Sequence, residues 1–254
     1  MKKILIAFAI LFSIVIPINA NAVDQKSLVI IDSYFDSRAT GATIVCAPTL
    51  NCSKVLKPTT FFDNTNHGDA MVEVAKKQGV KNIIALMSAS NGSDVNPGYF
   101  IEALKWINTN SNSVAAVSFS RKLNSDTSCM PAASFAGNPV NEDKIIRDLI
   151  STLNAKGIKI FASTGNNGKT GPVDYPACIL DTASVTANNY TQATSDANTD
   201  YIGSLPNNIF VYNGTIVWST NTLISQTTSS ATVAVAAQYV KNNTLTSKII
   251  NVLP

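Results

Sequence analysis

Histidine is nearly absent from this chain: there is one, at position 67. Cysteine is sparse, with Cys46, Cys52, Cys129 and Cys178 and no CxxC pair among them. One histidine and four scattered thiols cannot complete a zinc site. Neither GxGxxG nor GxxxxGK[ST] occurs, so a nucleotide-binding α/β domain would lack its phosphate cradle. Repeats, coiled-coil heptads and low-complexity linkers are missing as well. Long apolar runs are missing beyond the first residues. There, Met1-Lys2-Lys3 precedes an uncharged stretch from Ile4 to Ile18, and Ala20-Asn21-Ala22 supplies a small-x-small cleavage pattern. The run is short for a bilayer core, which takes about 20 residues. Residues 1–22 are therefore expected to be a bacterial-style signal peptide, and residues 23–254 the mature domain.

Cleavage would remove two lysines and lower the net charge from +3 (19 − 16) to +1 (17 − 16). A nearly neutral chain has no electrostatic attraction to nucleic acid or to an anionic membrane, and neither is expected as a partner. In an exported protein an even cysteine count favours disulfides. Four cysteines allow three pairings, and spacing alone does not choose.

What is present has the period of an α/β protein. Leu28–Ile31, Asn82–Met87, Val114–Phe119 and Ile158–Ala162 are short and apolar nearly throughout, as strands covered on both faces should be. Between them lie helical patterns. Ala70, Met71, Val74 and Ala75 form one apolar face that stops at Gly79. Tyr99–Ile107 is a second helix. Asn141–Lys156 carries Ile145, Ile146, Leu149, Ile150 and Leu153 on a single stripe ended by Gly157. Alternation of this kind predicts a mostly parallel sheet with helices on both faces. Residues 188–230, rich in Asn, Ser and Thr, read as loops with short strands. Sites in such folds lie beyond the carboxyl ends of strands.

Three segments there carry chemistry. Asp32-Ser33 ends the first apolar run, Asn66-His67-Gly68-Asp69 opens a helix, and Thr227-Thr228-Ser229-Ser230-Ala231-Thr232 opens another. Taken singly they are a loop acid, a surface histidine and an ordinary N-cap. In this order they resemble the subtilisin family, whose D-T/S-G, H-G-T-H and G-T-S-M-A motifs carry Asp, His and Ser in that sequence. Phe161-Ala162-Ser163-Thr164-Gly165-Asn166-Asn167-Gly168 resembles the family's A-A-G-N-x-G, and Tyr175-Pro176-Ala177 follows it. Val117-Ser118-Phe119-Ser120 resembles its S-L-G strand.

The resemblance implies a subtilisin-like fold and a secreted or periplasmic serine endopeptidase, acting as a monomer on polypeptide. Asp32, His67 and Ser229 would be its triad and Asn166 its oxyanion-hole amide. Ser118, Phe119, Ser120, Thr164 and Gly165 would line the substrate cleft. Asp174 aligns with the floor of the specificity pocket, where an acid would favour a basic side chain. A Cys46–Cys52 disulfide is expected to close a short loop after the Asp32 strand, and the family fold implies a second, Cys129–Cys178, bracing that pocket. The chemistry needs no cofactor, and a structural calcium stays open, since subtilases often bind one. Asp196, Asn198 and Asp200 alternate like a calcium loop but lack the glycine and glutamate of an EF-hand.

The sequence departs from the family at Asp69, Ala70, Ser120, Thr227, Val233 and Ala234. Thr227, in place of glycine, is expected to crowd the nucleophile. The competing reading is therefore a pseudoprotease, the same fold used as a binding module.

Overall fold

The computed structural model of the chain describes residues 26–36, 41–54, 66–89, 95–123, 142–165, 174–179, 181–187, 209–212, 227–242 and 248–250. In chain order the elements are β1 (Ser27–Asp32), β2 (Thr43–Cys46), α1 (His67–Lys77), β3 (Ile83–Met87), α2 (Pro97–Thr109) and β4 (Val114–Phe119). They continue with α3 (Glu142–Ala155), β5 (Lys159–Ser163), β6 (Ala183–Ala187), β7 (Ile209–Tyr212), α4 (Thr228–Asn242) and β8 (Lys248–Ile250). The signal segment lies outside the described residues.

The eight strands form one sheet in the order β2-β3-β1-β4-β5-β6-β7-β8. Every pair is parallel except β7–β8. The apolar runs explain the centre of this sheet. Leu28, Val29, Ile30 and Ile31 of β1 are all fully buried, as are Val117 and Phe119 of β4 and Ile160, Phe161 and Ala162 of β5. Strands buried on both faces need helices on both sides. Helices α1 and α4 pack on each other, and α4 lies along β4, β5 and β6. Helices α2 and α3 pack on each other, with α3 on β5.

Of the α3 stripe, Ile146, Ile150 and Leu153 are buried and Leu149 packs against the core, whereas Ile145 is exposed. The stripe is thus narrower than the five residues read from the sequence. The predicted Cys46–Cys52 disulfide is present, with Cα atoms 6.0 Å apart, inside the usual range. Cys178 is disulfide-bonded too, but its expected partner Cys129 lies outside the described residues.

The strand order decides where a site can form. From β1 the chain moves to β2 and β3 on one side, then crosses to β4 on the other. The order therefore reverses between β1 and β4, and loops leaving the two carboxyl ends diverge to leave a crevice. Asp32 is the last residue of β1, and Ser120 is the first after β4.

Candidate active site

Asp32 sits at that switch point with no exposure. Its Oδ2 is 2.7 Å from His67 Nδ1, and its Oδ1 accepts the Ser33 backbone N–H at 2.7 Å. Burial by itself would raise the Asp32 carboxyl. The His67 imidazole beside it, the positive charge of Arg121 and the Ser33 N–H outweigh this and hold it below the usual carboxylate value. Asp32 is thus ionised at neutral pH, and His67 Nδ1–H donates to it. The stabilisation this gives is present above the unfolded carboxylate value and is lost as pH falls through the folded one.

His67 is the first residue of α1, and Gly68 lets it lie close to the chain beyond β1. A Cβ on Gly68 would sit 2.9 Å from two Phe35 ring carbons and closer still to the Tyr34 carbonyl oxygen. The glycine is therefore required by contact rather than by backbone angle.

Ser229 lies in the first turn of α4, almost fully buried. Two strand ends hold it. Ser163, at the end of β5, shares a 2.6 Å hydroxyl–hydroxyl bond with Thr228. Ser120, beyond β4, makes a reciprocal pair: its hydroxyl donates to the Ser229 carbonyl at 3.0 Å, and the Ser229 hydroxyl donates to the Ser120 carbonyl at 2.8 Å. The Ser229 proton therefore rests on Ser120 rather than on His67.

Thr227, which stands where the family has glycine, bonds within its own turn. Its Oγ1 accepts the Ser230 N–H at 3.2 Å, while its own N–H donates to Ser230 Oγ at 3.1 Å. This reciprocal arrangement is a capping box, which satisfies donors that the first helical turn leaves unpaired. The Thr227 side chain is occupied in starting α4, and Ser230 is occupied with it.

The other expected site residues divide. Ser118 and Phe119 lie inside β4 without exposure, and Phe119 packs on Phe100 with ring centroids 4.5 Å apart. Their side chains belong to the core, while Ser120 of that trio bonds Ser229. Thr164 and Gly165 follow β5, and the Asp174 N–H donates to the Thr164 carbonyl at 3.0 Å. Gly165 has φ +102°, and the Asp174 carboxylate occupies the space a side chain there would need. Burial raises the Asp174 carboxyl, with Lys122 opposing it. Asn166, Cys129 and the stretch from Asp196 to Asp200 lie outside the described residues. Among the described residues no cluster of three or more His, Cys, Asp or Glu could hold a metal ion. None of their helices is long and apolar enough to cross a membrane.

Sequence reasoning missed the Ser120 carbonyl and the Asp69 carboxylate, whose Oδ1 accepts the Asp36 N–H at 2.8 Å and Oδ2 the Asn66 amide at 2.6 Å. Asp69 was visible only as a departure from H-G-T-H.

No family model matches the chain, and no curated protein matches it. Solved structures do. A psychrophilic protease is 17% identical with a TM-score of 0.51, covering 85% of this chain and 75% of its own. A mutant of the protease domain of PatA is 12% identical with a TM-score of 0.51, covering 85% and 78%. A cold-adapted subtilisin-like serine proteinase is 16% identical with a TM-score of 0.49, covering 87% and 77%. The chain resembles the subtilisin-like proteases in fold.

Proposed function

We propose that this protein is an exported serine endopeptidase, with Ser229 as nucleophile, His67 as base and Asp32 as the group that orients and stabilises the imidazole. The observation that carries this is the 2.7 Å His67–Asp32 contact at the switch point of the sheet, with Ser229 bonded to Ser120 at the end of the adjacent strand β4. Asp32 fixes the tautomer in which Nδ1 carries the proton, so Nε2 is left as the base. Ser229 Oγ attacks the scissile carbonyl carbon while its proton passes to Nε2. The carbonyl oxygen becomes an oxyanion, met by the Ser229 backbone N–H at the helix start and by the Asn166 amide. Collapse breaks the C–N bond, the amine leaves with the His67 proton, and an acyl-Ser229 ester remains. Water, deprotonated by His67, then hydrolyses the ester and restores the hydroxyl. No step requires a cofactor; polypeptide is the substrate and the chain acts as a monomer.

One observation favours the second reading, a binding module without turnover: the Ser229 hydroxyl is engaged with Ser120. Attack requires it to rotate toward Nε2 and give up a neutral hydrogen bond of about 0.5–1.5 kcal/mol. That slows the reaction by roughly tenfold at most and does not abolish it. Catalytic hydrogen bonds are often loose before substrate arrives.

Labelling with a serine-directed fluorophosphonate separates the readings. The wild type and Ser230→Ala should label, and Ser229→Ala should not. A folded wild type that binds peptide but never labels would leave the binding module standing.

A further inference from the structure

Asp69 is a buried acid with both carboxylate oxygens in use. The two partners it joins are far apart in sequence and flank the candidate pair. Asp36 lies four residues beyond Asp32, and Asn66 lies one residue before His67. Asn66 stands at the N-cap of α1, yet its side chain makes no capping bond and donates its amide to Asp69 instead. The turn is thus tied sideways, to the segment beyond β1, through Asp69. Gly68 confirms how closely these pieces approach, since a methyl group there would strike Tyr34 and Phe35.

We infer that Asp69 is a positioning residue, which keeps His67 against Asp32 by tying the chain after Asp32 to the turn that carries His67. The contacts form a closed circuit: β1 ends in Asp32, the chain runs to Asp36, Asp36 binds Asp69, Asp69 binds Asn66, and His67 returns to Asp32. Charge-assisted bonds such as these are stronger than neutral ones and direction-specific. Loss of the clamp removes two hydrogen bonds that tie the segment after Asp32 to the turn carrying His67. A misplacement of about 1 Å at such a pair is costly for catalysis. An acid in a first helical turn also favours the helix dipole, but that role predicts an effect on stability alone. The inference rests on the reading of Asp32 and His67 as catalytic partners.

The single histidine makes the test direct, because every imidazole signal belongs to His67. Proton NMR of the full chain should show the Nδ1 proton far downfield, as a short bond to a carboxylate requires. In Asp69→Ala that resonance should move upfield or vanish, and fluorophosphonate labelling should slow by about tenfold or more. Asp69→Asn, which keeps one acceptor and turns an NH₂ toward a donor, should fall between. If Asp69→Ala does not fold, Asn66→Ala removes one tie and should shift the resonance in the same direction. A variant that melts earlier but keeps both the resonance and the labelling rate would overturn the inference. A wild type that never labels would instead count against Ser229 as nucleophile, and the resonance would still judge Asp69.

Discussion

Gly68→Ala is a one-methyl perturbation whose effect can be worked from distances. The new Cβ would lie 2.9 Å from Cδ1 and Cε1 of Phe35, whereas ordinary contact begins at 3.4 Å. The ring must retreat by about half an ångström and the Tyr34 carbonyl by more, and that carbonyl is backbone. Both belong to the segment that leaves Asp32. The His67–Asp32 bond, at 2.7 Å, can lengthen by only about 0.8 Å before it ceases to be one. Overpacking of this kind costs about 2 kcal/mol, which for a chain of this size lowers Tm by about 4–8 °C. Misalignment should slow labelling by about 10²-fold. Thermal melts give the first number and progress curves with a fluorophosphonate the second. An alanine variant with unchanged Tm and labelling would show that the turn is not tightly packed, and the reasoning about His67 would go with it.

Thr227→Ala should cost about 1 kcal/mol of stability and Thr227→Gly only a few tenths, as expected for a cap, with labelling changed less than about threefold in both; a large gain in labelling from Thr227→Gly would restore the crowding idea. Asp174→Asn should raise Tm at neutral pH, because burial raises the wild-type carboxyl and its ionised form therefore disfavours the fold. That gain should shrink as pH falls through the folded value and be gone below the ordinary aspartate range of about 3.9; a gain independent of pH in melts across this window would refute it.

The centre of the fold was legible because burial on both faces leaves a simple mark. Four runs, apolar nearly throughout, gave β1, β3, β4 and β5 to within a residue or two, and they are the middle of the sheet. β6 was not legible. Its residues Ala183, Ser184, Val185, Thr186 and Ala187 are all buried, but the hydroxyls break the apolar run. Their cost is offset by bonds from Ser184 to the Ala177 carbonyl and from Thr186 to the Ala187 carbonyl, which no local pattern announces. Ile145 failed differently. It sits at the margin of the α3 stripe, and the width of a buried stripe depends on which neighbours cover it. The candidate triad was legible only through the order of motifs. Its supports were not, because they depend on register: Ile31 pairs with Phe119, so Ser120 stands level with Asp32. Motif comparison read Ser120 as a failed glycine, and sheet pairing makes it the neighbour of Ser229.

That neighbour bears on how the two functional readings are weighed. A degraded protease should show damage where chemistry is most demanding, in the orientation of the base. Here the Asp32–His67 contact is short, its acid is ionised, and substitutions away from the family pattern have acquired structural partners: Thr227 caps α4, Asp69 joins Asp36 to Asn66, and Ser120 holds Ser229. Random decay would leave buried polar groups unpaired at these positions, at about 1–3 kcal/mol each. The Ser229 hydroxyl donates to the Ser120 carbonyl. A neutral hydrogen bond of about 0.5–1.5 kcal/mol is by itself too small a barrier to silence a nucleophile. Loss of activity would therefore need a cause beyond Ser120. The proposed function thus predicts a slowed enzyme rather than an inert one, which the fluorophosphonate labelling decides.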